Sequence, residues 1–177
     1  MDKLCRLMPP DPSQLIEPLR LAKAGERLNG QFTLDVFHRL DTLLNNDLGD
    51  LVYRLDFTED PNGIYCINGE ITASVEVLCQ RCLKPFQLMV NHSISLGIVL
   101  DKEEAEQLPS EYEPLLLNEV TLSVVELVED ELILALPISP IHAAEDCPGS
   151  DILEKINHGQ KRHPFDELAK LKLHKHT

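Results

Sequence analysis

No apolar run in this chain is long enough to cross a bilayer; the longest, such as "LILALPI", fall far short of the ~20 residues a spanning helix needs. The opening stretch, "MDKLCRLMPPDPSQ", lacks a long apolar region followed by a small-residue cleavage site, so no secretory signal is expected and the cytoplasm is the expected compartment. Also missing are G-x-x-x-x-G-K-[ST] and G-x-G-x-x-G, the glycine loops that cradle phosphates, together with G-x-S-x-G and H-E-x-x-H. These absences lead us to expect no membrane attachment, no small-molecule substrate and no enzymatic activity. An even cysteine count is missing too. Five cysteines (Cys5, Cys66, Cys79, Cys82, Cys147) fit no closed disulfide framework, and in a reducing compartment they leave metal binding or plain packing.

Positive charge is scarce: 16 Lys and Arg stand against 30 Asp and Glu, a net charge of −14. A balance of that sign repels a phosphate backbone at long range. The scarcity is uneven. From Lys155 onward six basic residues face two acidic ones, a net of +4, which leaves −18 on residues 1–154. A basic tail on an acidic body is an interaction pattern, although solvated surface charge produces the same asymmetry.

The chain does have hydrophobic periodicity. A length of 177 residues with 43% hydrophobic content suits one sizeable core. Leu51, Tyr53, Leu55 and Phe57 alternate with polar residues, as do Ile71, Ala73, Val75 and Val77, and then Phe86, Leu88, Val90, Ile94, Leu96 and Ile98. This is the period of half-buried strands, and the first two runs are separated by "EDPNG", a reversing turn. "QFTLDVF" reads as a further strand, "HRLDTLL" as a helical turn, and "LLLNE" as an edge strand. Helices are expected from Pro18, over the acidic segment "DKEEAEQ", and through "TLSVVELVEDELILALP", where Leu122, Val125, Val128, Leu132 and Leu136 recur every three or four residues up to Pro137. The pattern predicts an α+β fold, an antiparallel β meander packed with a few helices. Residues 1–145 are expected to form the single domain, and 146–177 a flexible linker and mobile basic tail. Within that tail "PFDELAKLKL" places Phe165, Leu168 and Leu171 so that a short helix can dock.

Three constellations carry candidate chemistry. Cys79 and Cys82 in "VLCQRCLKPF" lie at a hairpin tip, where C-x-x-C can aim two sulfurs at one ion. His142 and Cys147 in "HAAEDC" would complete a Cys3His zinc site, while two small residues tightening a turn is the simpler alternative. A redox pair fits poorly, because a strand rather than a helix follows and Pro85 would break a helix. Arg81 and Lys84 at the same tip, with Lys161, Arg162, Lys170, Lys172 and Lys175 in the tail, are candidate contacts for RNA or a partner. Glu126, Glu129, Asp130 and Glu131 are expected on the polar face of the helix running up to Pro137, the first three as a solvated acidic surface that could dock a basic partner. His92 falls on the apolar side of its strand, the usual place for a packed histidine.

The order "VEVLCQRCLKPF", "SEYEPLLLN", "LVEDELILALPISPIHAAEDC" and "HPFDELAKLK" resembles the YceD family, the large ribosomal RNA subunit accumulation proteins, from about Leu51 to Lys172. The resemblance implies a non-enzymatic factor supporting accumulation of 23S ribosomal RNA and assembly of the large subunit, with that RNA or its precursor particle as partner. It supplies no catalytic residues. Relatives from other lineages often carry additional cysteines after the leucine-proline segment, where this chain has only Cys147. The charge count favours a second route for bulk affinity, in which the acidic body shields a basic ribosomal protein or assembly factor, while the basic tail keeps direct contact with RNA open.

Overall fold

The computed structural model describes residues 15–143, 146–149 and 156. Its centre is a five-stranded sheet in the order β2-β3-β4-β5-β6: β2 is Arg27–Thr33, β3 Asp50–Glu59, β4 Tyr65–Leu78, β5 Pro85–Val99 and β6 Glu113–Leu116. The first four strands pair antiparallel in sequence order; short turns join β3 to β4 and β4 to β5, and the longer stretch 34–49 joins β2 to β3. The last pairing differs from a pure meander, because β6 lies parallel to β5. A parallel neighbour needs a crossover, and helix α2 (Lys102–Gln107) lies within it, capped by the Asp101 carboxylate accepting from the Glu104 amide at 2.8 Å.

Side chains on one sheet face, including Phe32, Leu51, Leu55, Phe57, Ile67, Ile71 and Val75, are buried in a continuous core. Helix α1 (Pro18–Ala24) covers β3 and β4 on that side, with Pro18 at its start and Gly25 ending it at φ +65°, a conformation glycine adopts without a Cβ clash. Helix α3 (Val124–Ala135) packs against β5, burying Leu127, Val128 and Leu132; each side chain buried so fully contributes roughly 1.5–3 kcal/mol. The Ser123 hydroxyl caps its start by accepting from the Glu126 amide, and Leu136, just before Pro137, ends it. A two-stranded ribbon, β1 (Leu15–Ile16) with β7 (Leu122–Ser123), ties the entry of α1 to the entry of α3.

One expected strand is shortened. Leu34 and Val36 alternate like strand residues, yet they form a 3-10 turn, Leu34–Val36, and a second follows at His38–Thr42. The Leu34 amide donates to the Gly49 carbonyl at 3.0 Å, and the two turns drop Leu34, Phe37 and Leu40 into the core as a lid over the sheet. Alternation over three positions is compatible with either geometry, so burial decided between them. No helix among the described residues is long and apolar enough to cross a membrane.

Candidate metal centre

Strands β4 and β5 converge on a tight turn at their far end. Cys79 donates its amide to the Lys84 carbonyl at 2.9 Å, and the Leu83 amide donates back to the Cys79 carbonyl at 2.8 Å. Leu83 closes the turn at φ +58°, the one positive-φ residue among those described that is not glycine. That conformation costs an L-residue about 1–2 kcal/mol, and Leu83 recovers little of it by packing because it is 73% exposed. The turn directs backbone N–H groups at sulfur; the Arg81 amide donates to Cys79 Sγ at 3.4 Å.

The segment leaving α3 folds back over this turn. The Gln80 amide donates to the Pro140 carbonyl at 2.8 Å and the Arg81 guanidinium to the His142 carbonyl at 2.9 Å. The His142 ring lies against Phe86 with centroids 4.5 Å apart. The chain then returns Cys147, which is buried, and Gly149, where a Cβ would come within 3.3 Å of the Cys82 Cβ. A stretch low in core-forming residues is therefore anchored at several points as far as Gly149.

These contacts bring four potential ligands together. Cys79 Sγ and Cys147 Sγ are 4.0 Å apart, Cys82 Sγ and His142 Nδ1 are 3.5 Å apart, and all four atoms lie within 4.8 Å of one another. A tetrahedral site with metal–sulfur bonds of ~2.3 Å and metal–nitrogen bonds of ~2.0–2.1 Å separates its sulfurs by roughly 3.8 Å and sulfur from nitrogen by roughly 3.6 Å. The Cys79–Cys147 and Cys82–His142 separations are close to those values, and the Cys79–Cys147 separation is about twice a disulfide bond. The donor set, three thiols and one imidazole, suits zinc.

The electrostatics favour a cation. Burial by itself would push the Cys79 thiol up, but hydrogen bonds from the His142, Cys82 and Arg81 amides and from the His142 side chain override it and bring the thiol down to about 5. Cys82 is displaced the opposite way: burial raises it, the Lys84 amide opposes, and the neighbouring Cys79 and Cys147 raise it further. The turn thus stabilises one thiolate and resists a second, unless positive charge enters between them.

Other expected site residues are placed differently. Arg81 is partly buried and held on the His142 carbonyl, whereas Lys84 is exposed at the tip. Glu129, expected on a solvated face, is buried. Its carboxylate accepts from the Arg39 amide at 2.7 Å and from Arg39 Nε at 2.9 Å, while Arg39 also reaches Asp130 at 2.6 Å. Glu126 and Asp130 remain exposed. Glu131 is buried as well, 3.0 Å from His92 Nε2. Neither Arg39 nor His92 carried a sequence signal for these pairings, because 90 and 39 residues separate the partners. Lys161, Arg162, Lys170, Lys172 and Lys175 lie outside the described residues, as does the "PFDELAKLKL" segment.

The family described as the large ribosomal RNA subunit accumulation protein YceD matches residues 67–172, more than half of the chain. The chain belongs to the YceD family. The large ribosomal RNA subunit accumulation protein YceD of Haemophilus influenzae is 31% identical over 165 residues, covering 89% of this chain and 94% of its own length. No solved structure matches significantly. The YceD match extends across all four cluster residues, and its name refers to accumulation of an RNA and to no reaction.

Proposed function

We propose that this protein is a non-enzymatic factor supporting accumulation of 23S ribosomal RNA and assembly of the large ribosomal subunit, and that Cys79, Cys82, His142 and Cys147 hold a structural zinc ion within it. The observation that carries the first part is the YceD match over residues 67–172. The zinc reading is supported by three thiols and an imidazole gathered within 4.8 Å of one another, two of the separations close to those of a tetrahedral site. The ion would staple the segment after α3 to the β4–β5 tip and so fix the surface that presents Lys84. Arg81 would set the arrangement from within through the His142 carbonyl. In a cell whose gene has been deleted, the intact chain should restore the ratio of 23S to 16S RNA and the large-subunit peak in a sucrose gradient. An unchanged ratio between deleted and complemented cells would sink the proposal.

A second reading has an observation of its own. A body near −18 favours contact with a basic ribosomal protein over direct contact with RNA, and Glu126 and Asp130 are exposed for it. Nuclease-treated pull-downs should then still recover such a protein. If the tail cations contact RNA directly, truncation after Glu154 should abolish a steeply salt-dependent shift of large-subunit RNA.

A further inference from the structure

Beside the metal centre runs an apolar groove of about 420 Å³, between the second 3-10 turn, the end of β4 and the exit of α3. Leu43, Leu44, Leu78, Leu136 and Ile138 form its walls, and among its lining residues only Thr42 and Gln80 are polar. Small-molecule sites combine an apolar lining with a few convergent polar or charged groups; no titratable side chain lines this groove. Leu43, Leu78 and Ile138 are nevertheless exposed, Ile138 completely. Such a concave apolar surface suits one face of an amphipathic helix.

We infer that the groove is the docking site of this chain's own segment 164–173, "PFDELAKLKL". The chain past Gly149 has 28 residues with two runs of apolar residues at helical spacing; the first, Ile152, Leu153 and Ile156, leaves Ile156 66% exposed, and the second is Phe165, Leu168 and Leu171. Its start is beside the groove: Gly149 packs on Arg81, next in sequence to Gln80 in the groove wall. The 14 residues from 150 to 163 reach ~45 Å when extended, more than this distance requires. Charge holds the tail near the body, because the net +4 of residues 155–177 is drawn to −18, while segment 164–173 is itself neutral, Asp166 and Glu167 balancing Lys170 and Lys172, and suits a groove without charges. The YceD match also runs to residue 172, through this segment. Docking would gather the tail cations at the end of the molecule that presents Lys84. The inference does not depend on the ribosomal reading, and its test reads the purified protein alone.

A ten-residue helix is marginal by itself in water, so lasting amide protection in this segment requires docking. Hydrogen exchange of the full-length protein should show residues 165–172 exchanging at least about tenfold more slowly than residues 157–162. The double variant Leu43→Glu/Ile138→Glu should erase that difference, while Leu134→Glu, at an exposed position outside the groove, should leave it. Unchanged protection of β4 amides would show that the variants fold. Equal exchange of the two peptides in the wild type overturns the inference, as does protection that survives the groove variant. Protection that grows with protein concentration overturns it too, since the occupant is then a second copy.

Discussion

Cys79 Sγ and Cys147 Sγ lie 4.0 Å apart although 68 residues separate them in the chain. Between them come the whole of β5, the crossover to β6, and α3, so the cluster exists only in the folded protein. A metal held there closes a long loop and draws its binding energy from the folded state.

Protein purified without chelator should carry about one equivalent of zinc, and Cys147→Ser should lower both zinc content and melting temperature by several degrees. Elemental analysis with a thermal scan checks this. Less than about a tenth of an equivalent in the wild type would end the zinc proposal.

Leu83→Gly should stabilise the fold by about 0.5 kcal/mol. Relief of the left-handed conformation contributes about 1–2 kcal/mol, and the greater freedom of glycine in the unfolded chain takes back about 0.4–1 kcal/mol. Leu83→Val should destabilise, since branching at Cβ worsens the positive-φ clash. Urea midpoints at equal slope give the comparison, and a lower midpoint for glycine would contradict it.

Arg39→Ala should cost about 2 kcal/mol, because it strips the buried Glu129 carboxylate of its guanidinium while leaving the Arg39 amide in place. Water reaches the half-exposed arginine, which keeps the cost below that of a fully enclosed pair. Adding Glu129→Gln should recover part of the loss in a double-mutant cycle. Strict additivity of the two changes would show that the pair is not coupled.

The pH dependence of stability should carry a contribution from Glu131. Burial raises its pKa, the hydrogen bond and charge of His92 oppose, and nearby Glu113 and Asp130 add to the rise. The folded state therefore holds this proton more tightly than the unfolded one. The stability it contributes is fully present below the ordinary glutamate value of about 4.3 and is lost as pH rises through the elevated folded value. Glu131→Gln should flatten the profile over that window alone while keeping a polar partner for His92. Parallel profiles for the two proteins would refute the assignment.

Much of the architecture was legible from periodicity. The strands through Leu51–Phe57, Ile71–Val77 and Phe86–Ile98, the turn at Asp60–Gly63 and the helix ending before Pro137 follow from which residues share a face and where Pro and Gly interrupt it. Pattern failed where two geometries bury the same residues, as at Leu34 and Val36. It also failed at Glu129 and Glu131. A carboxylate in a helix pattern reads as solvent-facing unless a distant cation covers it, and Arg39 and His92 arrive from other elements.

The cluster of Cys79, Cys82, His142 and Cys147 divides the same way. Local sequence put Cys79 and Cys82 at a hairpin tip, because strand alternation on both sides with a proline just after leaves room only for a turn, and ligand chemistry made His142 and Cys147 candidates. Spacing could not decide whether the two pairs meet, since two helices and three strands intervene. Tertiary packing decided it: α3 lies on β5, its exit folds over the tip, and the Gln80–Pro140 and Arg81–His142 hydrogen bonds hold the second pair against the first. Alternation determined the class of fold, because it acts residue by residue, and the order of motifs along the chain carried the resemblance to the family that the match over residues 67–172 shows. Which side chains share a site was decided by the long-range contacts that only the folded chain makes.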